Sequence, residues 1–198
     1  MPTFRTAPDD AQTMLREVVA DFHPELAEAG VRIKLLSAHA RRSEATGEPV
    51  GVALKLHGYP CLAIAKIMPH EKRVAGTDDA QISIDGDRWD DLTEPEQRAL
   101  LDHEINHFAL VRTKPKKKKG KRGQPPTFEG GGEILLDDCH RPRLKMRLHD
   151  VELGAFRVIA ERHGENAPEV KLIRQLVDSS GQLLFPWCAD LAMAEAGR

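Results

Sequence analysis

The sequence predicts an α+β fold, and three observations predict it. Stretches with helical spacing of apolar residues recur along the chain, at 8–29, 93–110 and 150–163. Between them lie short runs in which apolar and polar residues alternate, the period of a strand. The 198 residues, 40% of them hydrophobic and 30% charged, have the size and balance of a single globular domain. Aromatic residues make up only 5%, so the core must be built from Leu, Ile, Val and Ala.

The elements follow in order. In the first helix Leu15, Val18, Val19 and Phe22 form the apolar stripe, and His23-Pro24 breaks it. Residues 31–36 alternate Val31, Ile33 and Leu35 with Arg32 and Lys34 and predict a strand. Two more strands are expected at 50–56 and 61–67, joined by a tight connection at Gly58-Tyr59-Pro60. A fourth is expected at 80–85, where Ile82 and Ile84 alternate with polar neighbours. The clearest helix begins after Trp89. Thr93 and Glu96 have capping-box spacing, Pro95 suits a first turn, and Leu101, Ile105 and Phe108 share a face, so the helix should run to about Leu110.

Periodicity is lost from 113 to 132. Seven of the 29 basic residues fall from Lys114 to Arg122 with no acid among them, leaving 22 basic against 31 acidic residues elsewhere. Such a segment has little to bury and is expected to be a disordered loop. Solvated charge is its plain role. Weak contact with nucleic-acid phosphates is a second, although no aromatic interleaves the lysines for base stacking. A hairpin is expected from 133 to 148 and a helix from 150 to 163, ended by Gly164. A short helix should follow at 170–177, and residues 165–198 read as a less certain extension of the same domain.

No run approaches the apolar length of a membrane helix, and the first residues lack the pattern of a secretory signal. Cys61, Cys139 and Cys188 have no CxxC spacing, which argues against a disulfide framework. A cytoplasmic location without membrane contact is the expectation.

The chemistry resides in His103-Glu104-Ile105-Asn106-His107. A spacing of four on a 3.6-residue helix puts both imidazoles on one face, where they can occupy two adjacent vertices of a zinc tetrahedron. Glu104, one residue on from His103, sits beside such an ion and can take a proton from its water. Two histidines on a solvated helix face are the plain alternative. A catalytic zinc site also needs a third protein ligand. His149, Glu152, Phe156, Ile159 and His163 recur at helical spacing, so Glu152 is the first candidate and His149 the second. Helix capping is the competing role for both. Candidate donors for a tetrahedral intermediate are His57, Tyr59, His140 and His163. The strand at 80–85, just before the metal-site helix, is expected to border the cleft and to pair with an extended peptide.

Across residues 22–164 the chain resembles the phage metallopeptidases. The matching stretches are Trp89-Asp90-Asp91-Leu92 leading into Ala99-Leu100-Leu101-Asp102-His103-Glu104, and Leu144-Lys145-Met146-Arg147 leading into His149-Asp150-Val151-Glu152. The resemblance implies a zincin-like α+β fold, a small mixed sheet packed on the HExxH helix, and a second helix that gives the third ligand. It also implies one Zn2+ per chain, protein or peptide substrates, and a bacterial host cell as the setting. The family often carries a second acid after this stretch. Leu153 stands there, which leaves Glu152 as the acidic candidate.

Overall fold

A computed structural model describes residues 2–118, 127–129, 131–150 and 155–180. In chain order the elements are β1 (Thr3–Thr6), α1 (Asp9–Phe22), α2 (Pro24–Glu28), β2 (Ile33–His39), β3 (Lys55–Leu56), β4 (Tyr59–Pro60), β5 (Ala63–Ile67), α3 (His70–Val74), β6 (Ala80–Asp85), α4 (Glu94–Asn106), β7 (Phe108–Leu110), β8 (Lys116–Lys118), β9 (Thr127–Glu129), β10 (Leu144–Met146), α5 (Arg157–His163) and α6 (Pro168–Ser180). The protein is thus a mixed α+β structure with a small mixed sheet. The sheet runs β1-β2-β6-β5, with β2 and β6 parallel and the outer strands antiparallel to their neighbours.

The odd residues of β2 and the even ones of β6 turn Leu35, Ala80, Ile82 and Ile84 toward α1 and α4. There they join Leu15, Val18, Leu101, Ile105 and Phe108 in the main core. Ile82, Ile84, Leu101 and Ile105 have no exposed surface. The opposite face of the sheet is covered by the segment before β3, with Ala53 and Leu54 packed on Ala38 and Ile64.

The break at His23-Pro24 separates α1 from α2, as expected, because proline takes the first position of the new helix. The capping box on α4 is present, and the Thr93 N–H donates to Glu96 Oε2 at 2.6 Å. Yet α4 ends at Asn106, not near Leu110. Residues 108–110 leave the helix to pair with β10, and the Arg147 N–H donates to the His107 carbonyl at 2.7 Å. Phe108 stays in the core by this route. Strand pairing overrides helix spacing here.

Three other expectations are corrected. The helix expected from 150 begins at Arg157, and the Asp150 N–H instead donates to the Ala155 carbonyl in a local bridge. β6 is enclosed between β2 and β5 and has no free edge, so the edge strands of the sheet are β1 and β5. Within the segment expected to be irregular, β8 and β9 pair antiparallel. Lys119, Lys121, Arg122 and Cys188 lie outside the described residues. No helix among the described residues is long and apolar enough to cross a membrane.

One buried cluster fixes α4 against its neighbours. Asp102 has no exposed surface, and its carboxylate lies 2.6 Å from His23 Nε2 and 2.8 Å from His163 Nε2, with the Arg162 guanidinium donating at 3.0 and 3.1 Å. Burial works against its charge. The hydrogen bonds from His23, His163 and Arg162 outweigh that and hold its pKa below the usual carboxylate range. Removing the carboxylate would strand these donors away from water. Asp102→Ala should cost about 3–5 kcal/mol in chemical denaturation, and a loss under about 1 kcal/mol would show that the cluster is not a structural clamp.

Candidate metal centre

His103 lies in the last turn of α4 and His107 caps that helix, so the four-residue spacing survives the early end of the helix. His149 arrives from the strand side, three residues after β10. One ligand-capable atom from each of His103, His107 and His149 lies within 4.8 Å of the others. The Nε2 atoms of His103 and His149 are 3.3 Å apart.

The far side of two rings is held. His103 Nδ1 is 2.6 Å from Glu169 Oε1, and His107 Nδ1 is 2.9 Å from the Arg147 carbonyl oxygen, to which it can donate. Each bond favours the tautomer that leaves Nε2 free as a lone-pair donor. Beneath the three imidazoles lies Phe156, 2% exposed, with its ring centroid 4.7–5.2 Å from theirs. The ring walls off water and fixes the spacing of the histidines.

The titrations follow the surroundings. Burial, with the neighbouring His103 and His149, pushes His107 down to about 4, so it is neutral at ordinary pH. His149 is lowered by burial and by His103. Burial also opposes charge on His103, but the hydrogen bond to Glu169 and the negative field of Glu104 outweigh it and raise its pKa. Glu104 is 6% exposed, and burial pushes it up to about 7 despite His103 and a hydrogen bond from the Ala65 N–H.

These side chains face a cleft of about 740 Å³. One wall is β5 and the residues before it, Cys61 to Ala65, and the other is α6 with Pro168, Lys171 and Leu172. The register of β5 tells which groups are free. Asp85 N donates to Leu62 O, and Met68 N to Asp79 O, so even-numbered residues of β5 face β6. The backbone groups of Ala63 and Ala65 therefore point outward, and the Ala65 N–H is the one that reaches Glu104.

Of the residues singled out from the sequence, His103, Glu104, His107 and His149 come together. Glu152 and Leu153 lie outside the described residues. His149 does not stand on a helix, because the chain is not helical at 149–150. His163 turns to Asp102 instead, and none of His57, Tyr59, His140 or His163 lines the cleft, whereas Arg88 does. Glu169 was missed. It lies at the start of α6, in a helix whose sequence shows only ordinary amphipathic spacing, and nothing local marks it as a partner of His103.

Residues 3–180 match the family model described as Putative phage metallopeptidase, and the chain belongs to that family. No curated protein and no solved structure matches the chain.

In protein kept free of metal, Glu104 has a clear signature. Its folded pKa of about 7 lies above its ordinary 4.5. Between those values the unfolded chain releases the proton and the folded chain keeps it, so stability falls as pH rises through this window. Glu104→Gln should therefore gain on wild type as pH rises from 5 to 8 in the presence of a chelator, by up to about 3 kcal/mol in denaturation. A gap independent of pH would contradict this placement of the carboxyl group.

Proposed function

We propose that the chain is a zinc-dependent metallopeptidase of the zincin-like type, with Glu104 as general base. The observation that carries this reading is the convergence of three imidazoles beside a buried carboxyl group. The donor set fits the ion. Ligands about 2.0–2.1 Å from a tetrahedral zinc stand roughly 3.3 Å apart, which is the His103–His149 separation. His103, His107 and His149 would hold the metal, with His149 taking the third place for which Glu152 was the first candidate. Bound there, zinc would lower the pKa of a water to about 7 and polarise the substrate carbonyl.

The chain's own residues do the rest. Glu104 accepts a proton from the attacking water at its carboxylate and returns it to the leaving amine. A cation beside it would draw its pKa down from about 7, so that it is ionised at the start of the cycle. Glu169 and the Arg147 carbonyl orient the two rings of the HExxH pair. An extended peptide pairs with the outward groups of Ala63 and with the Ala65 carbonyl on the free edge of β5, which presents its backbone to Glu104. Apolar side chains of the peptide would meet Leu56, Leu92, Leu100 and Leu172 in the cleft.

Elemental analysis after dialysis, with peptide cleavage scored in parallel, tests this. Wild type and Glu104→Gln should each carry one zinc per chain, and only wild type should cleave. His103→Ala and His149→Ala should lose the metal and Glu152→Ala should retain it, while Glu169→Gln should bind it about 10–100-fold more weakly. Absence of zinc from wild type after reconstitution would overturn the reading. Loss on Glu152→Ala with retention on His149→Ala would exchange the third ligand.

A further inference from the structure

A second concavity adjoins the cleft, and nothing in the proposed hydrolysis uses it. It is a groove of about 560 Å³ on β7 and β10, lined by Arg112, Lys145, Arg147, Leu110, Met146 and Leu148, with Glu25 as its one carboxylate. Met146 lines both the groove and the cleft, so the two are neighbours. Leu148, 84% exposed, is next in sequence to His149.

The three cations of this groove outnumber its one carboxylate. Arg147 donates to the Asn106 side-chain oxygen at 2.7 Å, and Arg112 donates to the Gly132 carbonyl at 2.8 Å. Both guanidinium groups are thus positioned by neutral acceptors. Neither they nor Lys145 form an ion pair among the described residues. Three such cations stand out in a chain whose net charge is −2.

We propose that this groove is an extension of the peptide-binding cleft that selects substrates with acidic residues on one flank of the cleaved bond. The inference rests on the peptidase reading and names its substrate class. Leu110, Met146 and Leu148 seat apolar parts of the flanking segment, while Arg112, Lys145 and Arg147 meet its carboxylates. A polypeptide is favoured over nucleic acid as the occupant. The groove adjoins, at Met146, a cleft bordered by a free strand edge, which recognises a polypeptide backbone, and none of its lining residues is an aromatic that could stack on a base.

The test uses the full chain with Glu104→Gln and fluorescent peptides that share an apolar centre. Two Glu residues are placed on the N-terminal flank, on the C-terminal flank, or replaced by Gln. One acidic peptide should bind about fivefold to tenfold more tightly than the neutral one, a gain of about 1–1.4 kcal/mol shared by two exposed ion pairs. The advantage should fade as salt rises. It should disappear in the double variant Arg112→Glu, Lys145→Glu, whose residues touch no part of the metal site.

Equal binding of all peptides, no binding at all, or an advantage that survives the double reversal overturns the proposal. So does tighter binding of a DNA oligonucleotide than of any peptide, if it is abolished by the same reversal. Cleavage of the same peptides by zinc-loaded wild type separates the two readings. Cleavage with no flank preference removes only the groove, whereas acidic-flank binding with no cleavage of any peptide removes the peptidase activity and leaves the groove.

Discussion

Everything at the candidate site depends on how α4 is held, and the buried carboxylate of Asp102 holds it. One face of the helix is buried by Leu101 and Ile105 against the sheet. That packing seats α4 on the sheet. Asp102 adds polar ties to elements before and after it. It ties α4 to the α1–α2 junction through His23 and to α5 through Arg162 and His163. His103, the next residue, is turned about 100° around the helix axis and so faces the cleft while its neighbour faces the clamp. The Asp102 carboxylate is fully out of water, so leaving it without these partners would be costly.

The clamp also explains why chain segments far apart in sequence converge on the cleft. α5 is anchored by Arg162 and His163. It therefore places Phe156 under the imidazoles and brings the start of α6 close enough for Glu169 to reach His103. From the other side the β7–β10 ladder brings Arg147 and His149 to the end of α4. The two HExxH imidazoles are thus each gripped at Nδ1 by a different element. Mobile ligand side chains would lose conformational entropy on binding an ion, whereas these have lost it on folding.

Much of this was legible in the sequence, for reasons that differ by residue. His103, Glu104 and His107 could be read because their relation is local, set by the pitch of one helix. Thr93 and Glu96 announced the start of that helix for the same reason, and Pro24 the break before α2. His149 was legible only as a residue type near a second element, and the reasoning that ranked it was faulty. It assumed helical spacing where the chain makes a bridge between Asp150 and Ala155. The end of α4 was misplaced because the competing partner, β10, lies far along the chain. Glu169, the edge position of β5 and the Asp102 clamp were not legible at all. Each is a long-range juxtaposition, and no periodicity records it.

Three imidazoles, from the end of α4 and from the segment after β10, would together form one metal centre. X-ray absorption at the zinc edge of the reconstituted chain tests it most directly. Three imidazole nitrogens at about 2.0–2.1 Å from the zinc are expected, reduced to two when His149 is replaced by alanine. A shell containing sulfur at about 2.3 Å, or one that His149→Ala leaves unchanged, would contradict it.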